Sequence, residues 1–119
     1  MTIGDLPAQR FLDLLTTAVE GGSNYWCRFS RLKRDKGLNC LSVRVAPDDG
    51  PVRCKDGTTY VPRVVEAAEL KLGLERLGAQ PAPFPAAAQH LADVLGENDD
   101  AITADVVLQM TVFGEVVFG

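Results

Sequence analysis

The stretch YWCRFSRLKR sets four cations, Arg28, Arg31, Lys33 and Arg34, directly behind two aromatic rings, Tyr25 and Trp26. Guanidinium groups hold phosphate and aromatic faces stack on bases, so this is a mixture used on nucleotides and single-stranded nucleic acids. The same stretch also reads as a solvated basic strand with its rings turned inward, because aromatic side chains contribute most when their area is buried. A second chemistry is offered by Asp99, Asp100 and Asp105, in a C-terminal segment that holds no Lys or Arg after Arg76. A carboxylate-rich helical face either docks on a positively charged protein surface or serves solubility. For Asp99 and Asp100 helix capping is a further explanation, since a carboxylate at a helix start accepts from the free backbone N–H groups.

Catalytic arrangements are not apparent. His90, the only histidine, lies in the alanine-rich segment PAAAQHLADVL, and no nearby residue type marks it as part of a triad. Nothing in the spacing brings Cys27 to His90 as a thiolate pair. The quartet Glu20-Gly21-Gly22-Ser23 looks like a phosphate loop but follows a helix, whereas such loops follow a strand and open a helix. The three cysteines, Cys27, Cys40 and Cys54, are widely spaced and odd in number, which suits reduced thiols better than disulfides or zinc. The acidic residues after position 92 do not follow the spacing of a calcium loop. Neither a metal nor a cofactor is expected, and the chain reads as non-enzymatic.

Charge is divided along the chain. From Arg28 to Lys55 there are eight basic and three acidic residues, a balance of +5; the remainder holds four basic and thirteen acidic, a balance of −9. Such asymmetry speaks to partners and not to fold. The 119 residues suit one domain, 1–119, able to bury a core without staples. Apolar runs are too short to span a membrane, and MTIGDLPAQR has no basic region followed by an apolar one, so the expected location is cytoplasmic.

The elements that must position these residues follow from periodicity. Asp5-Leu6-Pro7 reads as a helix start, and Phe11, Leu14, Leu15 and Ala18 form one helical stripe. Gly21 reads as a left-handed helix stop, after which a period of two puts Tyr25, Cys27 and Phe29 on one face and Trp26, Arg28 and Ser30 on the other. Leu41, Val43 and Val45 alternate with Ser42 and Arg44 as a second strand, and short strands are expected at 52–54 and 58–61. From Pro62 onward the pattern reads as helical: Val65, Ala68 and Leu72 make one stripe, Phe84, Ala88, Leu91 and Leu95 another. A last helix carries Ile102, Val106, Met110, Phe113 and Val117, with a terminal strand as the competitor over 111–119. The sum is an α+β fold: an N-terminal helix, a small antiparallel sheet of three or four strands, then two or three helices packed on one face, leaving the basic side chains on the other.

Two segments resemble the ends of a family of small proteins encoded by tailed bacteriophages and prophages. The first is Glu20, Gly21, Gly22, Tyr25 and Trp26, an EGGxxYW motif; the second is Thr103, Ala104, Asp105, Gln109, Phe113, Gly114, Glu115 and Gly119, a TADxxxQxxxFGExVxG motif. The middle of the chain shows no such likeness. The resemblance implies an origin more than a mechanism, and that origin implies interaction with a host. It suggests that the two motifs pack together, Tyr25 or Trp26 against Phe113, around a polar cluster of Glu20, Asn24, Asp105, Gln109 and Glu115.

The leading expectation is therefore a binding protein that blocks or sequesters a host protein complex, such as an anti-CRISPR inhibitor of bacterial defence. The alternative is a nucleotide or single-stranded nucleic-acid binder, for instance a cyclic-nucleotide sponge, using the basic sheet. A virion-assembly or replication accessory is a third reading. A flat sheet face and an apolar C-terminus would also suit a symmetric homodimer.

Overall fold

A computed structural model describes residues 2–35 and 40–119, with side chains described for 2–30 and 42–119. The fold is α+β. Helix α1 (Ala8–Thr17) leads to an antiparallel sheet of strands β1 (Cys27–Asp35), β2 (Cys40–Pro47) and β5 (Arg63–Glu66), in the order β1-β2-β5. Between β2 and β5, β3 (Val52–Arg53) and β4 (Thr59–Tyr60) form a separate small hairpin. Helices α2 (Leu70–Leu77), α3 (Ala87–Leu95) and α4 (Ala101–Phe113) complete the chain.

Register explains the sheet's two faces. Val43 sits opposite Val65, and Val45 opposite Phe29. Val43, Val45, Val65 and Cys27 are buried, while Arg28, Ser30, Arg44 and Val64, one residue out of phase, are exposed. A strand's side chains alternate, so the pattern sends one face to the core and the other to water.

Helix α4 is the centre of the molecule: every residue from Thr103 to Thr111 is buried. A helix without a wet face must be surrounded on all sides. Glycine makes two of its contacts close enough. A Cβ at Gly73 of α2 would fall within 2.5 Å of the Val107 carbonyl, and one at Gly22 would fall 2.6 Å from the Ala101 carbonyl. The cation of Arg76 lies at the C-terminal end of α4, donating to the Met110 and Thr111 carbonyls at 2.5 and 2.9 Å, where the helix dipole favours positive charge.

Several local expectations are corrected. Asp5 does not cap α1; its carboxylate closes a 3₁₀ turn (Ile3–Asp5) by accepting from the Thr2 N–H and hydroxyl, both at 2.9 Å, and α1 starts behind Pro7. Gly21 is not left-handed. The chain leaves α1 through a wide π-helical turn (Ala18–Gly22), where the Ser23 N–H reaches back to Ala18. The first strand starts at Cys27, not Tyr25, so Tyr25 and Trp26 lie in the preceding turn and strand alternation does not apply to them. The third strand of the main sheet is β5, in a stretch whose Val65 had suggested a helix. Two adjacent β-branched valines pair with β2 there, and α2 begins only after a 3₁₀ turn at Ala67–Glu69. Residues 114–119 are neither helix nor strand: Gly114, at φ 74°, ends α4 in the left-handed conformation and releases an irregular tail.

Candidate functional site

The two distinctive sequence blocks meet at one buried carboxylate. Asp105 of α4 is 6% exposed and accepts from the Ser23 hydroxyl (2.7 Å), the Trp26 indole N–H (2.7 Å), the Tyr25 hydroxyl (2.5 Å) and the Gln109 amide (3.0 Å). One helical turn on, the fully buried Gln109 clamps the tail. Its carbonyl accepts the Val117 and Phe118 N–H groups, both at 2.8 Å, and its amide donates to the Phe118 carbonyl at 2.9 Å. The Trp26 ring stacks on Phe118 with centroids 5.0 Å apart and tilts against Phe113 at 5.4 Å, while Tyr60 meets Phe113 edge-on. The expected packing of Trp26 against Phe113 is thus present. Of the expected polar cluster, Asp105 and Gln109 join it, whereas Glu115 accepts from the Lys55 N–H at 2.8 Å.

Burial, then the neighbouring Asp105, raises the Tyr25 hydroxyl well above its ordinary range. Burial likewise raises the Cys27 thiol, with Asp48 and Asp105 adding to it, and its Sγ lies 3.4 Å from the Ser23 carbonyl. A thiol kept protonated is a poor nucleophile. His90 engages the Thr103 hydroxyl at 3.0 Å. Among the described residues, no three His, Cys, Asp or Glu side chains converge as a metal centre would.

The expected carboxylate docking face is largely occupied from within. Asp99 is paired with Arg10, which also reaches the Val94 carbonyl. Asp100 caps α4 by accepting the Thr103 N–H at 2.9 Å, which lowers its carboxyl pKa. Asp105 is buried. Of the three, Asp100 alone faces solvent.

The open face of the sheet is different. A cleft of about 660 Å³ runs over it, lined by Asn24, Arg28, Ser30, Arg44 and Ala46 among others. Ser30 is opposite Arg44 and Arg28 opposite Ala46, which makes the two arginines diagonal neighbours on one face. Arg28 lies 3.7 Å from Asp48 with both side chains well exposed, a weak tether. Arg44 has no ion pair among the described residues. Trp26, expected beside Arg28, is 3% exposed and faces the core, so it offers no stacking surface; the Tyr25 ring, 55% exposed, does reach solvent although its hydroxyl is tied to Asp105. The Arg31 and Arg34 side chains lie outside the described residues. In the sequence alone, Arg44 lies on the polar side of its strand and belongs to no candidate site. Its alternation with Val43 and Val45, set in register with Arg28, is the signal that brings it in.

Compared with protein-family models, curated proteins and solved structures, the chain matches none.

Proposed function

We propose that this chain is a non-enzymatic binding protein of phage or prophage origin that blocks or sequesters a host factor, in the manner of an anti-CRISPR inhibitor, in the cytoplasm of the bacterial host. The observation that carries this reading is the division of labour between the faces of the sheet. One face is sealed under the helices, whereas the other leaves Arg28 and Arg44 as diagonal neighbours in an open cleft. Opposed charge across an interface steers association and sets specificity, so the favoured partner surface is acidic. Support against a catalytic reading comes from the protonated, buried Cys27 and from His90, which is engaged with Thr103.

The nucleotide or nucleic-acid reading is the second one, favoured by the same two arginines and by the exposed Tyr25 ring. It is weakened by the burial of Trp26, which removes one of its two stacking faces.

Affinity capture from bacterial lysate, run in parallel with wild type and Arg28→Glu/Arg44→Glu, tests the proposal. A stoichiometric protein retained by the wild type and lost by the variant is the expected result. A co-eluting nucleotide without protein transfers the function to the second reading, and capture that ignores the charge reversal removes the cleft from it.

A further inference from the structure

We infer that the free edge of β1 takes an extended acidic peptide segment of the partner as an additional strand beside β1. This rests on the binding function proposed above and names the form of its ligand.

The first observation is topological. β1 is nine residues long and lies at the edge of the order β1-β2-β5, and its register shifts between Arg31 and Lys33, so the regular part of that edge is 27–31. Edges of this kind are templates for strand addition. The second is the direction of those groups. The Asp48 N–H donates to the Trp26 carbonyl at 2.9 Å, which fixes 26 and 48 as a bonded pair. Bonded and non-bonded pairs alternate along an antiparallel ladder, so Arg28/Ala46 and Ser30/Arg44 are bonded pairs as well. The N–H and C=O of Phe29 are therefore turned to the free edge, while the Cys27 N–H is taken by the Ser23 carbonyl.

The third observation is the shape of the cleft. It touches Arg28 and Ser30 of the open face, and also Cys27 and Phe29, whose side chains belong to the core face. The cleft therefore follows β1 from Cys27 to Ser30, the stretch in which the backbone of Phe29 is turned to the edge. Charge selects the occupant. Four of the seven residues from 28 to 34 are basic and none is acidic, and Arg44 adds to them from β2. A second β1 pairing there would set cation against cation, which is destabilising, whereas alternate carboxylates on an incoming strand would face the arginines.

The probe is a labelled peptide of alternating Glu and Val, titrated with the full chain at low salt and followed by fluorescence anisotropy. Binding is expected to weaken with salt, and to weaken about tenfold or more when alternate backbone nitrogens of the peptide are methylated, because the main-chain bonds are lost. The protein is unchanged in that comparison, so misfolding cannot produce the result. Arg28→Glu/Arg44→Glu should reduce affinity by a similar factor, and a Lys–Val peptide should not bind.

Absence of binding by the Glu–Val peptide, or equal binding by its methylated form, overturns the inference. Tighter binding of an oligothymidylate of equal charge overturns it in favour of nucleic acid. A dimer in sedimentation that the peptide does not dissociate overturns it in favour of a second copy. A host partner captured through the arginines without any peptide binding would remove only this inference; peptide binding without a host partner would remove only the proposed function.

Discussion

The junction around Asp105 and the open face of the sheet are built on opposite principles. At the junction Ser23, Tyr25, Trp26 and Gln109 converge on one carboxylate, and the tail is locked by the Gln109 side chain and the Trp26–Phe118 stack. On the sheet, Arg28, Ser30 and Arg44 are set by ordinary strand alternation and are left uncovered. The most distinctive residues in the chain therefore serve mainly to hold it together, and residues of no particular distinction form the surface available to a partner. A recognisable motif is evidence of a demanding environment, which a buried polar hub supplies as readily as a binding site.

That contrast is broken most forcefully at Asp105. Replacing it with Ala leaves the buried Ser23 and Trp26 donors, and the Tyr25 hydroxyl, without their common acceptor. A loss of about 3–5 kcal/mol in urea unfolding is expected. A loss below about 1 kcal/mol would mean that the hub is not structural and that Asp105 belongs with the binding residues. Next in size is Trp26→Phe, which keeps a ring against Phe113 and Phe118 but removes the indole N–H to Asp105. Its expected cost is about 1–3 kcal/mol, and Trp26→Ala should cost more, about 3–5 kcal/mol, through the cavity it leaves. Equal losses for the two variants would show that the ring's packing contributes nothing beyond its hydrogen bond.

Much of this architecture was legible in the sequence, and the exceptions share a cause. Periodicity marks α1, the β1–β2 pair, α2 and α3, because each keeps one wet face that imposes a pattern. In α2, however, the buried side is Leu70, Leu74 and Leu77, while Ala68 and Leu72 of the expected stripe are exposed. β5 was hidden because Val64 and Val65 are followed at once by the 3₁₀ turn into α2, and a four-residue strand is too short to display alternation against a helical stripe. α4 reads as a striped helix, yet it is buried all round from Thr103 to Thr111, and only its first two residues, Ala101 and Ile102, are exposed. The resemblance puts Asp105 and Gln109 in one polar cluster, whereas spacing alone puts Asp105 on a carboxylate-rich face, because local spacing cannot reveal partners 79 to 82 residues away. The inward turn of Trp26 is one of the two readings that the basic strand allows, and the structure selects it for Trp26 while leaving Tyr25 largely exposed. Arg28 could be read from local sequence; Arg44 beside it required the register.

Alkaline pH should separate the regions next. Burial raises the Tyr60 hydroxyl to about 12 from an ordinary 10, and Cys27 and Tyr25 move the same way. Between the unfolded and folded values the native state holds protons that the unfolded chain has released, so stability falls with pH there. The contribution of Tyr60 is complete below pH 10 and is lost as pH rises toward 12. Urea unfolding across this range should show that decline, and Tyr60→Phe should lessen it. A slope unaltered by Tyr60→Phe would place the titration elsewhere.

The smallest effect on stability is expected on the open face. The Arg28 side chain is 82% exposed and its nearest carboxylate is 3.7 Å away, a distance at which a solvated pair contributes little. Arg44 has Ser30 and Val64 as its cross-strand neighbours and no ion pair among the described residues. Reversing both charges should leave unfolding free energy within about 0.5 kcal/mol of wild type. The same double variant should lose the partner that the wild type captures. That combination, binding gone with stability intact, separates a surface kept for recognition from one kept for folding. If Arg28→Glu/Arg44→Glu instead destabilised the chain as much as Trp26→Phe, the arginines would have to be holding the sheet together. The contrast between a sealed junction and a free face would then collapse into a single cooperative structure.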